Sequence, residues 1–480
     1  MRRCKGAVIE DNVANRAYTF TTNVEVPIGV GAMPLSYRLL ISSVLIAALS
    51  ACGTAGGGTP LQPSALPALR ATTAFQVLYN FQGGPTDAAG PNAVVEGPAG
   101  TMLGTSSAGG HIHPRDCKMT GCGTIFEFNG STERPIYLFQ PQPSGYSPAG
   151  LLLHNGVYYG VAAGGVHNMG AVYSLSQNGS GNWVVTTLYS FKGAPADGSE
   201  PNGLFYIGAG GAIFGTTRMG GSGTSCLFTS TGCGTVFELQ PPAQTGGPWT
   251  ESLLHSFQGS PDGAGPDSSV VRKAGSFYGT TEFGGASKLC PAVLGCGTIY
   301  KLTVSGSTAT EQVVHSFYVD RSSADGVWGG ALTDGGDGKL YGTTRFGGGS
   351  QGCEVEPEVH GCGTFFSFTL GRGKKSQLTT RYAFAGGQDG ELPGVLSGTA
   401  SSGFYGATAY GGSPACFDGC GTIFHMTPSG GEQLLHVFSG SDGRTPNGPL
   451  LSIGSKLYGT AEAGGTAACS CGTLFELQQQ

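Results

Sequence analysis

The sequence predicts an all-β fold, a seven-bladed β-propeller with four antiparallel strands per blade, and three observations carry that prediction. Glycine makes up 87 of the 480 residues, while charged residues are 11% and aromatic residues 10%. Such a composition suits short strands joined by tight turns, because glycine reaches the positive φ at which chains reverse. No long stretch places apolar residues at helical spacing, and four short signals return in fixed order, seven times, between residues 75 and 480.

The first signal is a strand ending in Phe: VLYNF at 77, PIYLF at 135, TLYSF at 187, LLHSF at 253, VVHSF at 313, RYAF at 381 and LLHVF at 434. An Asp-Gly follows in five copies, at Asp197, Asp262, Asp325, Asp389 and Asp442; Asp87 stands without its Gly in the first copy, and the second copy lacks both. Next comes a small apolar strand such as AGLLL at 149, then a strand of the form LYGTT: MLGTS at 102, YYGVA at 158, IFGTT at 213, FYGTT at 277, LYGTT at 340, FYGAT at 404 and LYGTA at 457. A Gly-Gly loop leads to the fourth, a half-buried strand opened by Cys-Gly-Thr: GCGTIFEF at 121, GCGTVFEL at 232, GCGTIYKL at 295, GCGTFFSF at 361, GCGTIFHM at 419 and CGTLFEL at 471, with GAVYSL at 170 as the divergent copy.

Four strands at this period match a propeller blade rather than a solenoid rung. The short turn from a Cys-Gly-Thr strand to the next Phe-ending strand marks those two as hairpin neighbours. Each blade then runs outward from the apolar strand, through the LYGTT and Cys-Gly-Thr strands, to the Phe-ending strand. The last blade, from about Asn447 to Leu477, lacks an outer strand of its own, and VLYNF at 77–81 is the spare that completes it and leaves no open edge.

The ordered repeat resembles the GloVer tandem repeat, with its LxxF, DGxxPxxGL, LYGTT, GG and CGTIFxL pattern, over nearly all of residues 75–480. That resemblance implies a bacterial exported or surface protein and a propeller-like architecture, and it names no reaction. The N-terminal sequence points the same way. MPLSYRLLISSVLIAALSAC at 33–52 holds Arg38, then an apolar run with the length of a signal-peptide core rather than of a membrane span. Its Leu-Ser-Ala-Cys ending resembles a lipoprotein lipobox, with Cys52 as the lipid-bearing first residue of the mature chain. Residues 1–32 carry Glu10, Asp11 and Glu25, which an export signal avoids, so they read as an upstream extension ahead of a start at Met33. Residues 33–51 read as the signal, 52–74 as a flexible Gly/Pro/Ala-rich tether and 75–480 as the propeller. Gly53, by resemblance to lipoprotein sorting, favours the outer membrane.

Of the 14 cysteines, Cys4 and Cys52 fall ahead of the repeat, and the other twelve form six close pairs: Cys117/Cys122, Cys226/Cys233, Cys290/Cys296, Cys353/Cys362, Cys416/Cys420 and Cys469/Cys471. Even numbers and local spacing in an exported chain read as disulfides, each pinning the root of a variable loop. The divergent copy has lost both partners together. Only for Cys469-Ser470-Cys471, two residues apart, do a disulfide and a pair of thiols stay open alternatives. Neighbouring pairs fall in different blades with no regular His to complete a tetrahedral set, which leaves no metal-ligand pattern.

The net charge of −6, without acidic or basic runs, gives no footprint for nucleic acid. In a propeller, the loops from second to third strand and from outer strand to next inner strand emerge on one face, here the cysteine-bearing loops and the Asp-Gly turns. Rigid scaffold plus varied loops is a common way to build a binding surface. The expected function is a surface-anchored binding module, monomeric and lipid-anchored, whose ligand outside a cell is a polysaccharide or an envelope protein. The alternatives are a periplasmic or extracellular glycan hydrolase or lyase on the same scaffold, and a structural envelope protein. Candidate residues on the loops are His111, His113, Arg115 and Asp116, and then Glu354, Glu356 and Glu358. A solvated polar loop is the plainer account of each set. His255, His315 and His436 recur two positions before the Phe and so read as blade packing, and the Asp-Gly carboxylates as turn caps. No catalytic residue, cofactor motif, nucleophile elbow, phosphate loop or metalloprotease helix is present in the sequence.

Overall fold

The computed structural model of the protein describes residues 74–479 apart from 113–116, 118–119, 204, 227–230, 245, 287–289, 291–294, 307, 319–324, 351, 357–358, 372–375 and 447, with no side chain described in 354–359. The upstream extension, the signal with Cys52 and all but the last residue of the tether lie outside the described residues.

Seven four-stranded antiparallel blades make a ring. Blade 1 runs outward through Ala88–Glu96, Met102–Gly109, Thr124–Phe128 and Glu133–Leu138, and the other blades repeat that order. Blade 7 takes Lys456–Ala463 and Thr473–Gln478 from the end of the repeat, and its outer strand is Phe75–Asn80, paired from Phe75↔Leu477 to Asn80↔Thr473. The predicted strand order and ring closure are thus both present.

Two expectations about the strands are corrected. The innermost strands begin earlier than the apolar signal suggests, at Tyr146 rather than Ala149 in blade 2 and at Arg444 rather than Asn447 in blade 7. Their first residues are polar, and each strand is broken near a left-handed residue placed just before a proline, as at Ser147-Pro148 and Thr445-Pro446, so no run of alternation shows. The Cys-Gly-Thr strand is buried on both faces rather than one: Ile125, Phe126 and Phe128 are all buried. Each blade lies between two others, so both faces of its middle strands meet apolar neighbours.

The core is built between blades. The Phe that ends each outer strand packs its ring on the aromatic residue of the next blade's Cys-Gly-Thr strand: Phe139 on Tyr173, Phe191 on Phe237, Phe257 on Tyr300, Phe317 on Phe366, Phe384 on Phe424 and Phe438 on Phe475, with Phe81 on Phe126 closing the ring. Centroid separations run from 5.1 to 5.9 Å, mostly near edge-to-face. Every outer strand carries a one-residue bulge ahead of its Tyr or His, as at Leu78 and Leu254. That residue shares a face with the Phe two places on, as alternation requires, and the bulge ahead of it shifts the phase of the earlier part of the strand.

Candidate functional site

The Cys-Gly-Thr motif joins blades as well as opening a strand. In all seven seams the N–H of the residue three after the turn Asp, or after Ser144 in blade 2, donates to the carbonyl at the cysteine position of the preceding blade. Examples are Ser147 to Cys122 at 2.8 Å, Gly265 to Cys233 at 2.8 Å, Trp328 to Cys296 at 3.1 Å and, across the closure, Gly90 to Cys471 at 2.9 Å. In the divergent copy Met169 stands there and accepts from Glu200 at 2.9 Å. Each donor has φ between 47 and 60°, although five of the seven are not glycine. Delivering an N–H sideways to the neighbouring blade requires this turn of the chain, and its recurrence marks it as architecture.

The loops follow from that root. The Gly before each Thr donates to the carbonyl of the first Gly in the Gly-Gly pair, as in Gly123 to Gly109 and Gly421 to Gly411, both at 3.0 Å, which closes the loop at its base. All six cysteine pairs are disulfides, including Cys469–Cys471, with Cα separations of 5.1 to 5.6 Å. They lie against the turn that follows the outer strand: a Cβ on Gly386 would stand 2.6 Å from the Cys362 sulfur. Six disulfides fit an oxidising setting, extracellular or in the cell envelope. Among the described residues no helix is long and apolar enough to cross a membrane.

The cysteine before each strand anchors its loop from within the core: Cys233 of the Cys226–Cys233 bond and Cys296 of the Cys290–Cys296 bond are each only 2% exposed. Cys233 packs in one cluster with Val236 and Phe257, and Cys296 in another with Ile299 and Phe317. The physical reason is the seam: the backbone at each position is bonded to the next blade, so its sulfur sits under the outer-strand Phe and cannot meet a ligand. Both are structural anchors of the loop and no part of a binding surface.

The turn Asp is held from several sides. Asp87 accepts from the Tyr79 hydroxyl at 2.9 Å and from the N–H groups of Gln82 and Ala88. Asp197 repeats this with Tyr189, Lys192 and Gly198, and Asp389 with Tyr382 and the Ala385 N–H. His315 and His436 take the tyrosine's place opposite Asp325 and Asp442 at 2.9 and 3.0 Å. His315 and His436 are therefore packing and turn-holding residues.

Of the sequence candidates, His111 is exposed at the root of its loop, where its carbonyl accepts from the Cys122 N–H at 2.8 Å. His113, Arg115, Asp116 and Glu358 lie outside the described residues. Glu354 and Glu356 fall on a short strand, Glu354–Glu356, paired with Val359–His360, and their side chains are likewise not described.

The structure adds a site on the same face that sequence reasoning missed. A hollow of ≈ 440 Å³ at the blade 6 disulfide is lined by Glu391, Tyr410, Pro414, Phe417 and Asp418 among others. Phe417, inside the Cys416–Cys420 loop, is 100% exposed. Burial pushes the Glu391 carboxyl up; the Gly387 N–H pulls it back, and the nearby Asp418 charge raises it again. The visible signal was an aromatic between two cysteines four residues apart. Three cross-blade ion pairs of Lys or Arg, Arg218–Glu282 at 2.7 Å, Lys273–Asp334 and Arg345–Asp267, tie blades 3, 4 and 5 together. A second hollow, of ≈ 700 Å³, lies on the opposite face between blades 1 and 2, with Glu96, Leu153, Tyr158 and Trp183 in its lining.

No family model and no curated protein matches the chain. Solved structures similar in fold include a putative glucose dehydrogenase from Thermus thermophilus (14% identity, 84% of this chain and 99% of that one, TM-score 0.39), Trypanosoma rangeli sialidase (10%, 85% and 60%, TM-score 0.39) and the N-terminal domain of Nup159 (10%, 85% and 96%, TM-score 0.40). Their activities differ, and at these identities the likeness concerns the fold alone.

Proposed function

We propose that the protein is an exported binding module whose ligand docks on the disulfide-stapled face, and that the ligand is a polysaccharide. The observation that carries this reading is the blade 6 hollow, where a fully exposed aromatic ring and two carboxylates share one disulfide-held loop region. A sugar ring offers an apolar face to Phe417 and hydroxyl donors to Glu391 and Asp418, while a preformed loop loses little entropy on binding. The GloVer resemblance and the disulfides support export, and Cys52 supplies the lipid anchor in this account.

Glu391 and Asp418 also favour a second reading, a glycan-processing enzyme, because a carboxyl pushed up by burial with a second carboxyl beside it is the pattern of an acid and its partner. Binding of the disulfide-formed protein to a polysaccharide panel tests both. The expected result is binding lost on Phe417→Ala or on replacing loop 413–418, without product formation. Turnover lost in Glu391→Gln supports the enzyme, and no binding by folded protein contradicts both.

A further inference from the structure

The seven seams are natural variants of one another, and one combines groups found together nowhere else among them. At six seams a Tyr or His of the outer strand faces the Asp of the next turn; the exception is blade 2, with Tyr137 and Ser144. Four seams add a Glu from the next blade's outer strand, always opposite the fifth residue of the Cys-Gly-Thr strand: Glu133, Glu251, Glu311 and Glu432. Three of these have tyrosine (Tyr79, Tyr189, Tyr382). The two other histidine seams have Leu378 and Phe75 in place of the Glu, and there His–Asp contacts are 2.9 and 3.0 Å. Only the seam between blades 3 and 4 joins imidazole and two carboxyls: His255, Asp262 and Glu311.

We infer that His255, Asp262 and Glu311 form a binding site for a zinc-type divalent metal ion. One donor atom from each lies within 4.8 Å of the other two. Ligands on a tetrahedral zinc about 2.1 Å from it stand roughly 3.4 Å apart, so small side-chain rotations close the set. Two further observations point inward. The His255 Nε2 to Asp262 Oδ2 contact is 3.3 Å, longer than in the two seams lacking a Glu. The Glu311 Oε1 is buried and meets no hydrogen-bond partner among the described residues, as holds for Glu133, Glu251 and Glu432 at the tyrosine seams, and here alone an imidazole lies beside it.

The surroundings fit an ion. Asp262 is fixed by the N–H groups of Gln258 and Gly263 at 2.9 and 2.8 Å, which orients its carboxylate as an outer shell does for a ligand. His255 and Asp262 keep 21% and 18% of their side-chain surface, which leaves room for a water as fourth ligand. Two carboxylates neutralise a dication, and the imidazole selects zinc-type ions over calcium or magnesium. The recurrence of the histidine reads as packing; what does not recur is the meeting of His255 with Glu311.

The fold supplies its own control variants. His255→Tyr recreates the Tyr-Asp-Glu seam of blades 2 and 3, and Glu311→Leu recreates the His-Asp-Leu seam of blades 4 and 5, so both are expected to fold. Zinc chloride is titrated into the disulfide-formed protein by calorimetry at pH 7.5, with metal content read after dialysis. The expected result is one bound equivalent in the parent and at least about tenfold weaker binding in each variant. Folded parent protein that retains no zinc, or binding that survives both substitutions, overturns the assignment.

Discussion

Gly406 and Phe424 face each other on adjacent strands of blade 6, and a Cβ on Gly406 would stand 2.5 Å from the Phe424 ring. The same relation holds for Gly104 with Phe126 and Gly459 with Phe475. The glycine of the LYGTT strand is thus the floor on which the aromatic lies, and the next ring on that aromatic belongs to the preceding blade. Gly406→Ala is expected to cost roughly 1–3 kcal/mol by overpacking. Denaturant titration checks it. The double variant with Phe424→Leu should be clearly less destabilised than the sum of the single changes.

The disulfides act on loops whose bases are already closed by hydrogen bonds. Replacing Cys353 and Cys362 together by Ser should lower stability by about 2–3 kcal/mol in the chain-entropy view. Hydrogen exchange should quicken in loop 349–361 while the flanking strands Lys339–Phe346 and Thr364–Thr369 keep their protection.

Acidic seams set a pH dependence. Burial, then the hydrogen bond and charge of Asp87, push Glu133 up to about 9; burial, then Asp197, Asp262 and Asp389 respectively, push Glu251, Glu311 and Glu432 up to about 7. A carboxyl whose pKa is raised on folding contributes stability fully present below its unfolded value near 4.5, and that contribution is lost as pH rises through the folded value. Stability should therefore fall between about pH 4.5 and about 7, and on to about 9 for Glu133. Glu133→Gln should raise Tm at about pH 8.5 by roughly 1–3 °C and flatten the profile above about pH 7. A melting series from about pH 5 to 9 reads both effects.

The left-handed residues carry strain that the seam hydrogen bonds offset. Thr445 is β-branched at φ 55°. Thr445→Gly should be stabilising or neutral, within about 1 kcal/mol, where a glycine substitution elsewhere in a strand costs about that much. Thermal unfolding of this variant beside Thr460→Gly makes the comparison.

Much of the architecture was legible in the sequence because it lies in strand neighbours. The short hairpin turns fixed the phase, and VLYNF had no partner except the last Cys-Gly-Thr strand. What was not legible depends on the neighbouring blade. The Glu six residues before the Phe is visible in TERPIYLF, TESLLHSF, TEQVVHSF and GEQLLHVF, but its partner Asp or His comes from the preceding turn and strand. The burial of Cys233 and Cys296 hides in the same way, since the Phe257 and Phe317 rings that join their clusters arrive from another strand. Glu391 likewise gains meaning only beside Asp418, through the folded Gly-Gly loop. The joint loss in the second copy also became readable: with both cysteines gone, Ala162 faces Ala171 where five other blades pair two hydroxyls, as Thr408 does with Thr422 at 2.8 Å, and blade 7 sets Ala461 opposite Thr473.

The stapled face and the opposite face each offer a hollow with an aromatic residue and a carboxylate, and comparing them tests the central claim most directly. Affinity for the best-bound polysaccharide should be measured for Phe417→Ala, Glu391→Gln and Trp183→Ala in parallel. The account predicts at least a roughly tenfold loss, about 1.4 kcal/mol, for the first two and an unchanged value for Trp183→Ala. Loss confined to Trp183→Ala would contradict it and move binding to the opposite face.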